Sequence, residues 1–504
     1  MTDRPLDSAR SAFQRPVGAA VALLSAAVVT GCALGPEYRK PEMPMAADFE
    51  NAAADHLQEP TREFWRRFDD PVLNGLVDDA INANHDIRIA VANLQQARAA
   101  QLGVDAQAYP SFGARAGGSR QVIPQTSAPG FSRDRRTGNA FDTAVDANWE
   151  LNLFGRFTRA SESAAASVSA AQAGVAAAQV SVTAEVARNY FLLRGEQMRL
   201  QIAQKSLQNQ QANLDLVQAR LDAGRGTELD TTRAQSQVEN TRAVIPVLEA
   251  GIELSRYRLA VLTGRAPTEL SALAAELQAL PGLKPIDGIG TPAALLKRRP
   301  DIRVAERQLA AATADIGASK ADLFPNVSIS GLLGLNALTA GGLNSANAYY
   351  YNLGASIAWT VFDFGRIRSR ISQNEARADA ALATYEKTVL TALEETEGAL
   401  ISFSRNQRRA ESLFKAARAS EQAAKLARAR FEAGVTDFLN VLDAERQLLA
   451  DRDGLAQAQT DAGTSLIAVY KALGGGWYES PGTSATTVSG TELPAAATTT
   501  VSSN

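Results

Sequence analysis

Cysteine and histidine are almost absent from this 504-residue chain. Cys32 is the only cysteine, and His56 and His85, the only histidines, lie in different sequence contexts. These counts exclude a disulfide framework and any cysteine-based zinc or iron–sulfur site. The sequence contains neither a nucleophile elbow nor a glycine-rich phosphate loop, and acidic pairs such as Glu394-Glu395 lie in helical tracts where a solvated face is expected. The sequence predicts no catalysis, no metal and no dissociable cofactor.

A basic excess is also missing, and long apolar runs are rare. The chain has 51 Lys and Arg against 54 Asp and Glu, a net charge of −3, which argues against a nucleic-acid partner. Beyond the N-terminal region no apolar run reaches about 18 residues, the length expected of a membrane-spanning helix. Any later crossing of a membrane would have to be made by β-strands.

The N-terminal region has the pattern of a lipoprotein signal. Three arginines precede an almost wholly apolar run at 17–29, and Thr30-Gly31 lead directly into Cys32. This pattern predicts a signal peptide over 1–31, a covalent N-acyl and diacylglycerol lipid on Cys32, and a lipidated N-terminal segment over 32–64. Ala33 follows the cysteine in place of the aspartate that retains such lipoproteins in the inner membrane. We therefore expect the protein at the bacterial outer membrane, facing the periplasm.

The remainder of the chain is internally duplicated. With an offset of 215, Asp86-Ile87-Arg88 matches Asp301-Ile302-Arg303, and Tyr109-Pro110 matches Phe324-Pro325. With an offset of 210, Trp149 matches Trp359, Phe154-Gly155-Arg156 matches Phe364-Gly365-Arg366, and Ala223-Gly224 matches Ala433-Gly434. The expected units are a first repeat 65–264, a linker 265–292, a second repeat 293–473 and a disordered tail 474–504. Each repeat contains a β-hairpin, 109–154 or 324–364, and then a long helical hairpin, 155–264 or 365–473.

The strands are predicted from alternation of apolar and polar residues. Over 140–154, Val145, Ala147 and Trp149 fall on one face, and Asp146 and Asn148 fall on the other. A soluble sandwich would show the same pattern, but the lipid anchor favours a transmembrane barrel with its apolar face outward. Four strands cannot close a barrel, so several chains would have to share one.

The helices are predicted to be far longer than a globular core requires. No proline lies between Gly155 and Gly224, a stretch of about 100 Å as a helix. Leucine recurs every seven residues along it, which is typical of supercoiled helices: Leu193, Leu200, Leu207, Leu214 and Leu221. Pro246 is expected to kink or restart the returning helix.

Glycine marks the tip of each helical hairpin. Gly224 and Gly434 follow Ala-rich helical runs and can form left-handed C-caps. The chain then restarts after Thr227 in one half and after Thr436-Asp437 in the other, which can cap a new helix.

Four stretches together resemble a known family: GPEY at 35–38, LLKRRPDIRVAERQL at 295–309, ADLFPNVSISG at 321–331 and LGGGW at 473–477. They are similar to the outer membrane efflux factors, in the lipoprotein branch of the TolC-like family that serves multidrug pumps of the resistance-nodulation-division (RND) type. The resemblance implies a mainly α-helical homotrimer whose twelve-stranded β-barrel continues into a coiled-coil α-helical barrel. It also implies an exit duct for drugs and other small toxic compounds, with a periplasmic adaptor protein and an inner-membrane RND-type pump as partners.

The resemblance also implies roles for the hairpin tips. Adaptor-contact positions would be Gly224, Thr227, Leu229, Asp230, Gly434, Thr436 and Asp437. A periplasmic gate would be formed by Leu439, Asp443 and Arg446. Asn440 stands where the family's namesake has a second aspartate, so the number of acidic rings stays open.

Two other functions are compatible with parts of this pattern. A channel for type I protein secretion would share the fold and differ in its partners, although the lipid cysteine argues against it. A purely structural periplasmic coiled-coil lipoprotein would explain the helices, but it would conduct no ions.

Overall fold

The computed structural model describes residues 33–51, 61–275, 279–284, 286 and 288–477. The predicted signal peptide, the predicted lipidation site Cys32 and residues 478–504 lie outside these described residues. The described part is mainly helical. It also contains one four-stranded antiparallel sheet, to which each half of the chain contributes two strands.

The elements follow the predicted order of each repeat. The first repeat contains a 3₁₀-helix Phe64–Phe68, α1 Pro71–Ala83, α2 His85–Ala106, β1 Ser111–Val122, α3 Arg133–Arg136, β2 Thr137–Leu151, α4 Arg156–Asp222 and α5 Glu228–Leu262. A short helix α6, Ser271–Ala275, lies in the linker. The second repeat contains α7 Pro292–Arg298, α8 Pro300–Ala321, β3 Asn326–Ala337, 3₁₀-turns Ala340–Asn344 and Ala346–Ala348, β4 Tyr349–Ala358, α9 Arg366–Glu432 and α10 Phe438–Ala472.

The duplication is confirmed by the lengths of the helices. Helices α4 and α9 each have 67 residues, and α5 and α10 each have 35. A helix of that greater length extends about 100 Å. Both long helices begin after a left-handed glycine, Gly155 with φ 75° and Gly365 with φ 88°, so a side chain would be strained at the same turn of either repeat.

The sheet has one apolar and one polar face. Its strand order is β1-β2-β3-β4, with every neighbouring pair antiparallel. On one face Val145 pairs with Leu333, and Leu333 pairs with Tyr351; these side chains are 52–70% exposed. The other face carries the Ser328–Ser356 hydroxyl contact of 2.9 Å and the Arg115–Asp142 ion pair of 3.6 Å. The predicted alternation is therefore present, and the chain's own helices leave much of its apolar face uncovered.

A tryptophan at the end of each hairpin fixes that hairpin to the helix before it. The indole N–H of Trp149 donates to the carbonyl of Ala108 over 2.9 Å, and that of Trp359 donates to Leu323 over 3.0 Å. The two contacts are copies of each other under the sequence repeat. Each hydrogen bond gives the indole N–H of a partly exposed tryptophan an acceptor.

The helices pack along the predicted seven-residue stripe. Leu193 is fully buried, Leu200 is nearly so, and Leu207, Leu214 and Leu221 are partly buried. Among the described helices, none combines the length and apolar character needed to cross a membrane. Of the kink or restart expected at Pro246, the restart was wrong, because α5 runs continuously through it; the kink stays a prediction. A proline removes one backbone donor, and the buried side chains of Leu248 and Ile252 on the following turns hold the helix in place.

The linker and the start of the tail pack against the middle of the helices. Gln197 of α4 donates to the carbonyl of Leu273 over 2.8 Å, and Leu270 and Leu273 are buried. The disordered tail predicted for 474–504 was wrong for 474–477, because the amide of Gly476 donates to the carbonyl of Arg62 over 2.8 Å and the Arg62 guanidinium lies 4.9 Å from the Trp477 ring. The rest of that prediction lies outside the described residues. Only glycines at 474–476 let the chain approach this closely.

We expect Gly463→Ala to destabilise the fold by about 1–3 kcal/mol, because overpacking a tight helix contact displaces its neighbours. A Cβ at Gly463 on α10 would lie 2.3 Å from Cδ1 of the Phe191 ring on α4. The matched control is Gly454→Ala on the same helix, whose Cβ would meet only Leu413 at 3.8 Å. Thermal unfolding followed by circular dichroism should show a lower midpoint for the first variant and an unchanged or higher one for the control. Equal midpoints would contradict the packing.

Candidate functional site

The two helical hairpins end in turns of the same geometry. Gly224 and Gly434 both have φ 72°. The amide of Arg225 donates to the carbonyl of Arg220 over 2.8 Å, and Val435 donates to Arg430 over 2.9 Å. These are Schellman C-caps, which use the last free carbonyls of α4 and α9. The sequence-predicted glycines thus terminate both helices.

The returning helices start on side-chain caps. The Thr227 hydroxyl accepts from the amide of Asp230 over 3.3 Å and donates to its carboxylate over 2.7 Å. Asp437 caps α10, accepting from the amide of Asn440 over 3.4 Å and from its side-chain nitrogen over 2.5 Å. The side-chain nitrogen of Asn440 also donates to the Thr436 hydroxyl over 2.8 Å. An asparagine at 440 therefore stabilises the second turn.

A small apolar cluster joins the two tips. It consists of buried side chains from both hairpins: Val217, Ala234, Phe431, Phe438, Val441 and Leu442. Other apolar side chains at the tips face away from it, with Leu229 57%, Val435 65% and Leu439 38% exposed. The described residues of the chain leave these three largely open to solvent or to another molecule.

The predicted gate residues lie on the outward side of α10. Leu439 and Asp443 are both exposed and stand one turn apart, so they share a face. Among the described residues the Asp443 carboxylate has no hydrogen-bond or ion-pair partner. Arg446 lies about one turn further along and contacts the first hairpin, its Nε donating to Gln237 over 3.4 Å.

A polar contact that sequence reasoning missed ties the hairpins together just above the tips. The side-chain nitrogen of Asn213 donates to both carboxylate oxygens of Glu445, over 2.7 and 2.6 Å. Burial raises the pKa of Glu445, and the hydrogen bonds from Asn213 and the charge of Arg428 only partly offset it. Asn213 precedes Leu214 of the heptad series, but nothing local indicates a partner 232 residues away.

A buried arginine at the start of α8 holds the middle of the helical region together. Buried Arg299 donates to Asp301 over 2.6 Å, to Glu395 over 2.7 Å and to the carbonyl of Ala472 over 3.1 Å. Burial opposes ionisation of Asp301, but the hydrogen bonds and charge of Arg299 outweigh it and hold the pKa of that carboxyl below its ordinary range. One arginine thus joins α8, α9 and the end of α10.

The segment that follows Cys32 lies along the helices as a strap. Arg159 donates to the carbonyl of Leu34 over 3.1 Å, and the Tyr38 hydroxyl donates to Glu306 over 2.5 Å. Ala33 lies so close to Gly155 that a Cβ on that glycine would come within 2.6 Å of its Cα. The strap therefore begins at the junction of β2 and α4, at the sheet end of the helices.

The described residues include no cluster of three or more His, Cys, Asp or Glu side chains that could hold a metal ion. The residues that sequence analysis selected instead group at two ends of the described structure. The tip residues lie at one end of the long helices. The strap begins at the other, beside the sheet.

We expect Glu445→Gln to remove a pH-dependent loss of stability. When the pH is below 4.5, the ordinary pKa of a glutamate, Glu445 is protonated in folded and unfolded chains alike. As pH rises through its raised folded-state pKa, the folded chain must ionise a buried group and loses stability relative to the glutamine variant. The unfolding midpoint of the wild type relative to Glu445→Gln should therefore fall as pH rises above 4.5, and it should level off once the pH has passed the raised folded-state pKa. Glu394→Gln, at an exposed helical position, is the control; the same pH trend in both comparisons would refute a specific role for Glu445.

The family model described as Outer membrane efflux protein matches residues 76–265 and 291–475, one segment in each repeat. Among curated relatives, the outer membrane protein OprJ of Pseudomonas aeruginosa is 31% identical over 93% of this chain and 98% of its own. The solvent efflux pump outer membrane protein SrpC of Pseudomonas putida is 30% identical over 89% of this chain and 96% of its own.

Solved structures of outer-membrane channels share this fold. The outer-membrane channel OprN superposes with a TM-score of 0.83 at 42% identity, covering 88% of this chain and all of that chain. The open state of the MtrE outer membrane channel of Neisseria gonorrhoeae gives 0.76 at 29% identity, covering 88% and 98%. The duplicated helical hairpins, the amphipathic sheet and these matches lead to one conclusion: the chain belongs to the outer membrane efflux protein family and is an efflux channel of the outer membrane.

Proposed function

We propose that three copies of this chain form the exit duct of a tripartite pump, anchored by lipid on Cys32 and gated at the hairpin tips. One observation carries the proposal: a sheet with an exposed apolar face and two open edges stands at one end of helices about 100 Å long. Lipid tolerates an apolar face but not an open edge. Shared among three chains, the strands would close a barrel of twelve, and the helices would continue its passage through the periplasm.

The gate is proposed at Leu439 and Asp443. Three-fold symmetry would bring three copies of an exposed, unpaired carboxylate towards one axis, with an apolar ring one turn closer to the tip. Like charges near an axis repel unless cations compensate, and apolar rings exclude water, so the closed mouth would be held by a small balance of forces. Arg446, tied to Gln237 of the first hairpin, would link the gate to the neighbouring helix.

We expect Asp443→Ala to raise the single-channel conductance of purified protein in planar lipid bilayers several-fold, because it removes the acidic ring that binds cations at the narrow mouth. Asp451→Ala is the matched control. It makes the same charge change on the same helix about 12 Å further from the tip, where Asp451 accepts from Gln447 over 2.8 Å. Equal conductance of wild type and Asp443→Ala would rule out this gate, and a total lack of current would favour the structural-lipoprotein alternative.

The exposed tip residues are proposed as the docking surface for a periplasmic adaptor. Leu229 and Val435 present apolar side chains beside the capped turns, and such exposed apolar patches are typical of interaction sites. An adaptor that binds the open tips more tightly than the closed ones would shift the gate towards opening.

The proposed cargo is whatever small compound an RND-type inner-membrane pump delivers through that adaptor. Relatives of this chain carry the names of toluene, antibiotic and pyoverdine export systems. This range of names favours efflux of small compounds over secretion of proteins. The energy would come from the pump, since a passive duct needs no catalytic site.

The lipid anchor is supported by the path of the strap. Because Ala33 lies beside Gly155 at the end of β2, an acyl chain on the preceding residue would reach the membrane at the level where the sheet meets the helices. The contacts of Leu34 and Tyr38 would hold it there.

We expect Cys32→Ser to abolish incorporation of radiolabelled palmitate in growing cells, because Cys32 is the only thiol available for lipidation. Ser25→Ala, a substitution within the predicted signal peptide that leaves Cys32 in place, is the control and should label normally. Persistent label on Cys32→Ser would disprove lipidation at this site.

A further inference from the structure

A cavity of about 250 Å³ lies between the two helical hairpins, a few turns from their tips. One wall belongs to α4 of the first hairpin, and the others belong to α9 and α10 of the second. Gln210 on the α4 wall stands about 18 Å from the end of that helix. Neither the tip turns nor the proposed gate residues Leu439 and Asp443 belong to the lining.

Positive charge dominates the lining of this cavity. Four cationic side chains face two carboxylates across it: Lys205, Lys425, Arg428 and Arg452 against Glu421 and Glu445. A concave site lined by an excess of one charge raises the local concentration of ions of the opposite sign. The cavity therefore favours an anion.

The ion pairs in the lining leave one cation without a partner. The Glu421 carboxylate is shared by two of the cations, Lys425 over 2.9 Å and Arg452 over 3.2 Å. Lys205, on the other hairpin, is exposed and makes neither a hydrogen bond nor an ion pair with any residue that the structure describes. Its ammonium group is available to a ligand.

The remaining charged groups do not cancel this excess. Arg428 uses its Nε for Glu432, which lies outside the lining, over 3.2 Å. Glu445 accepts from Asn213 at both carboxylate oxygens, and burial raises its pKa. Glu445 is therefore protonated more readily than an ordinary glutamate, which reduces the negative charge that it brings to the cavity.

A buried amide in the α4 wall lacks a hydrogen-bond donor. The side chain of Gln210 is 4% exposed, and its Oε1 has no hydrogen-bond partner among the described residues. An unpaired buried acceptor is destabilising, so a ligand that donates a hydrogen bond to it would gain affinity. Water could donate to Gln210, but water would leave the positive charge of the cavity uncompensated.

We propose that this cavity binds inorganic phosphate. The phosphate oxygens would accept hydrogen bonds from Lys205, Arg428 and Arg452. Phosphate retains at least one proton at neutral pH, and that P–OH group would donate to Oε1 of Gln210. Sulfate has a similar shape and charge but carries no proton at this pH, so the site should prefer phosphate. The volume leaves room for several waters beside the ion, since a water occupies about 30 Å³.

Bound phosphate would join the two hairpins. Lys205 and Gln210 belong to the first hairpin, whereas Arg428 and Arg452 belong to the second. An anion held between them would favour the arrangement of the hairpins in this structure, as the Asn213–Glu445 contact does. All of these groups come from one chain, so binding does not depend on the proposed trimer or on the proposed gate.

The test measures binding of radiolabelled inorganic phosphate to the purified full-length protein in detergent at neutral pH, with sodium chloride keeping the ionic strength constant. Saturable binding is expected at millimolar phosphate, and an equal concentration of sulfate should displace little of it. Lys205→Gln removes the unpaired ammonium group and should weaken binding by about tenfold or more.

Lys415→Gln is the matched control for Lys205→Gln and should bind phosphate as the wild type does. It makes the same charge change on α9 about 15 Å from Lys425, at a position where Lys415 pairs with Glu411 over 2.9 Å.

Gln210→Leu tests the unpaired acceptor. Without phosphate, the unfolding midpoint of this variant should equal or exceed that of the wild type, because an unpaired buried acceptor has been removed. Added phosphate should raise the midpoint of the wild type by more than that of Gln210→Leu, because a ligand stabilises the fold that binds it.

Three results would overturn the phosphate site. The first is the absence of saturable phosphate binding to the folded protein. The second is sulfate binding as tight as phosphate binding, which would leave Gln210 without the proposed role. The third is equal weakening by Lys205→Gln and Lys415→Gln, which would indicate attraction by overall charge. None of them bears on the proposed channel, which the conductance of Asp443→Ala tests.

Discussion

The structure depends on one constraint, which is that a strand edge cannot remain unpaired in lipid. The chain supplies only four strands, with apolar side chains on one face and two open edges. Neither the edges nor the exposed face can be satisfied by this chain's described helices, which extend away from the sheet. The sheet can therefore only be part of a larger barrel, which several chains have to form together so that no strand edge is left unpaired in lipid.

Duplication gives the two halves of the chain the same helices and the same turns. Helices of 67 and 35 residues recur in both repeats, and their turns share the same left-handed glycines. Within one chain the two repeats are joined by the pairing of β2 with β3, in which Asp146 lies opposite Leu332.

The sheet end, the helical middle and the tips of the described structure are held by different kinds of contact. At the sheet end the strap is held by main-chain and tyrosine hydrogen bonds, and it places residue 33 beside Gly155. In the helical middle, buried Arg299 fixes three helices with charge-assisted hydrogen bonds. At the tips the cluster is small, the turns are exposed and the Asn213–Glu445 contact carries a buried carboxylate. The proposed gate thus lies at the end of the helices with the smaller buried cluster.

Much of the fold was predictable because it follows from periodicity. Alternation over 140–154 identified a half-apolar strand, the missing prolines identified α4, and the matching glycines identified both tips. The expected restart at Pro246 failed for a physical reason: local propensity is weaker than the packing of a 35-residue helix against a longer one. Likewise, composition placed 474–477 in the tail, whereas glycines let that segment fit against Arg62 and Thr183.

The sequence by itself determined the repeat, the lengths of the rods and the face of each strand, because these depend on spacing along the chain. Only the tertiary structure decided which side chains meet across it. Asn213 reaches Glu445 over 232 positions, and Arg299 reaches Glu395 and Ala472. It also showed that Leu439 and Asp443 face away from the tip cluster. Heptad spacing predicts which side of a helix is buried. Which polar residues beside that apolar stripe become buried, and which stay exposed, depends on the helix that packs against it.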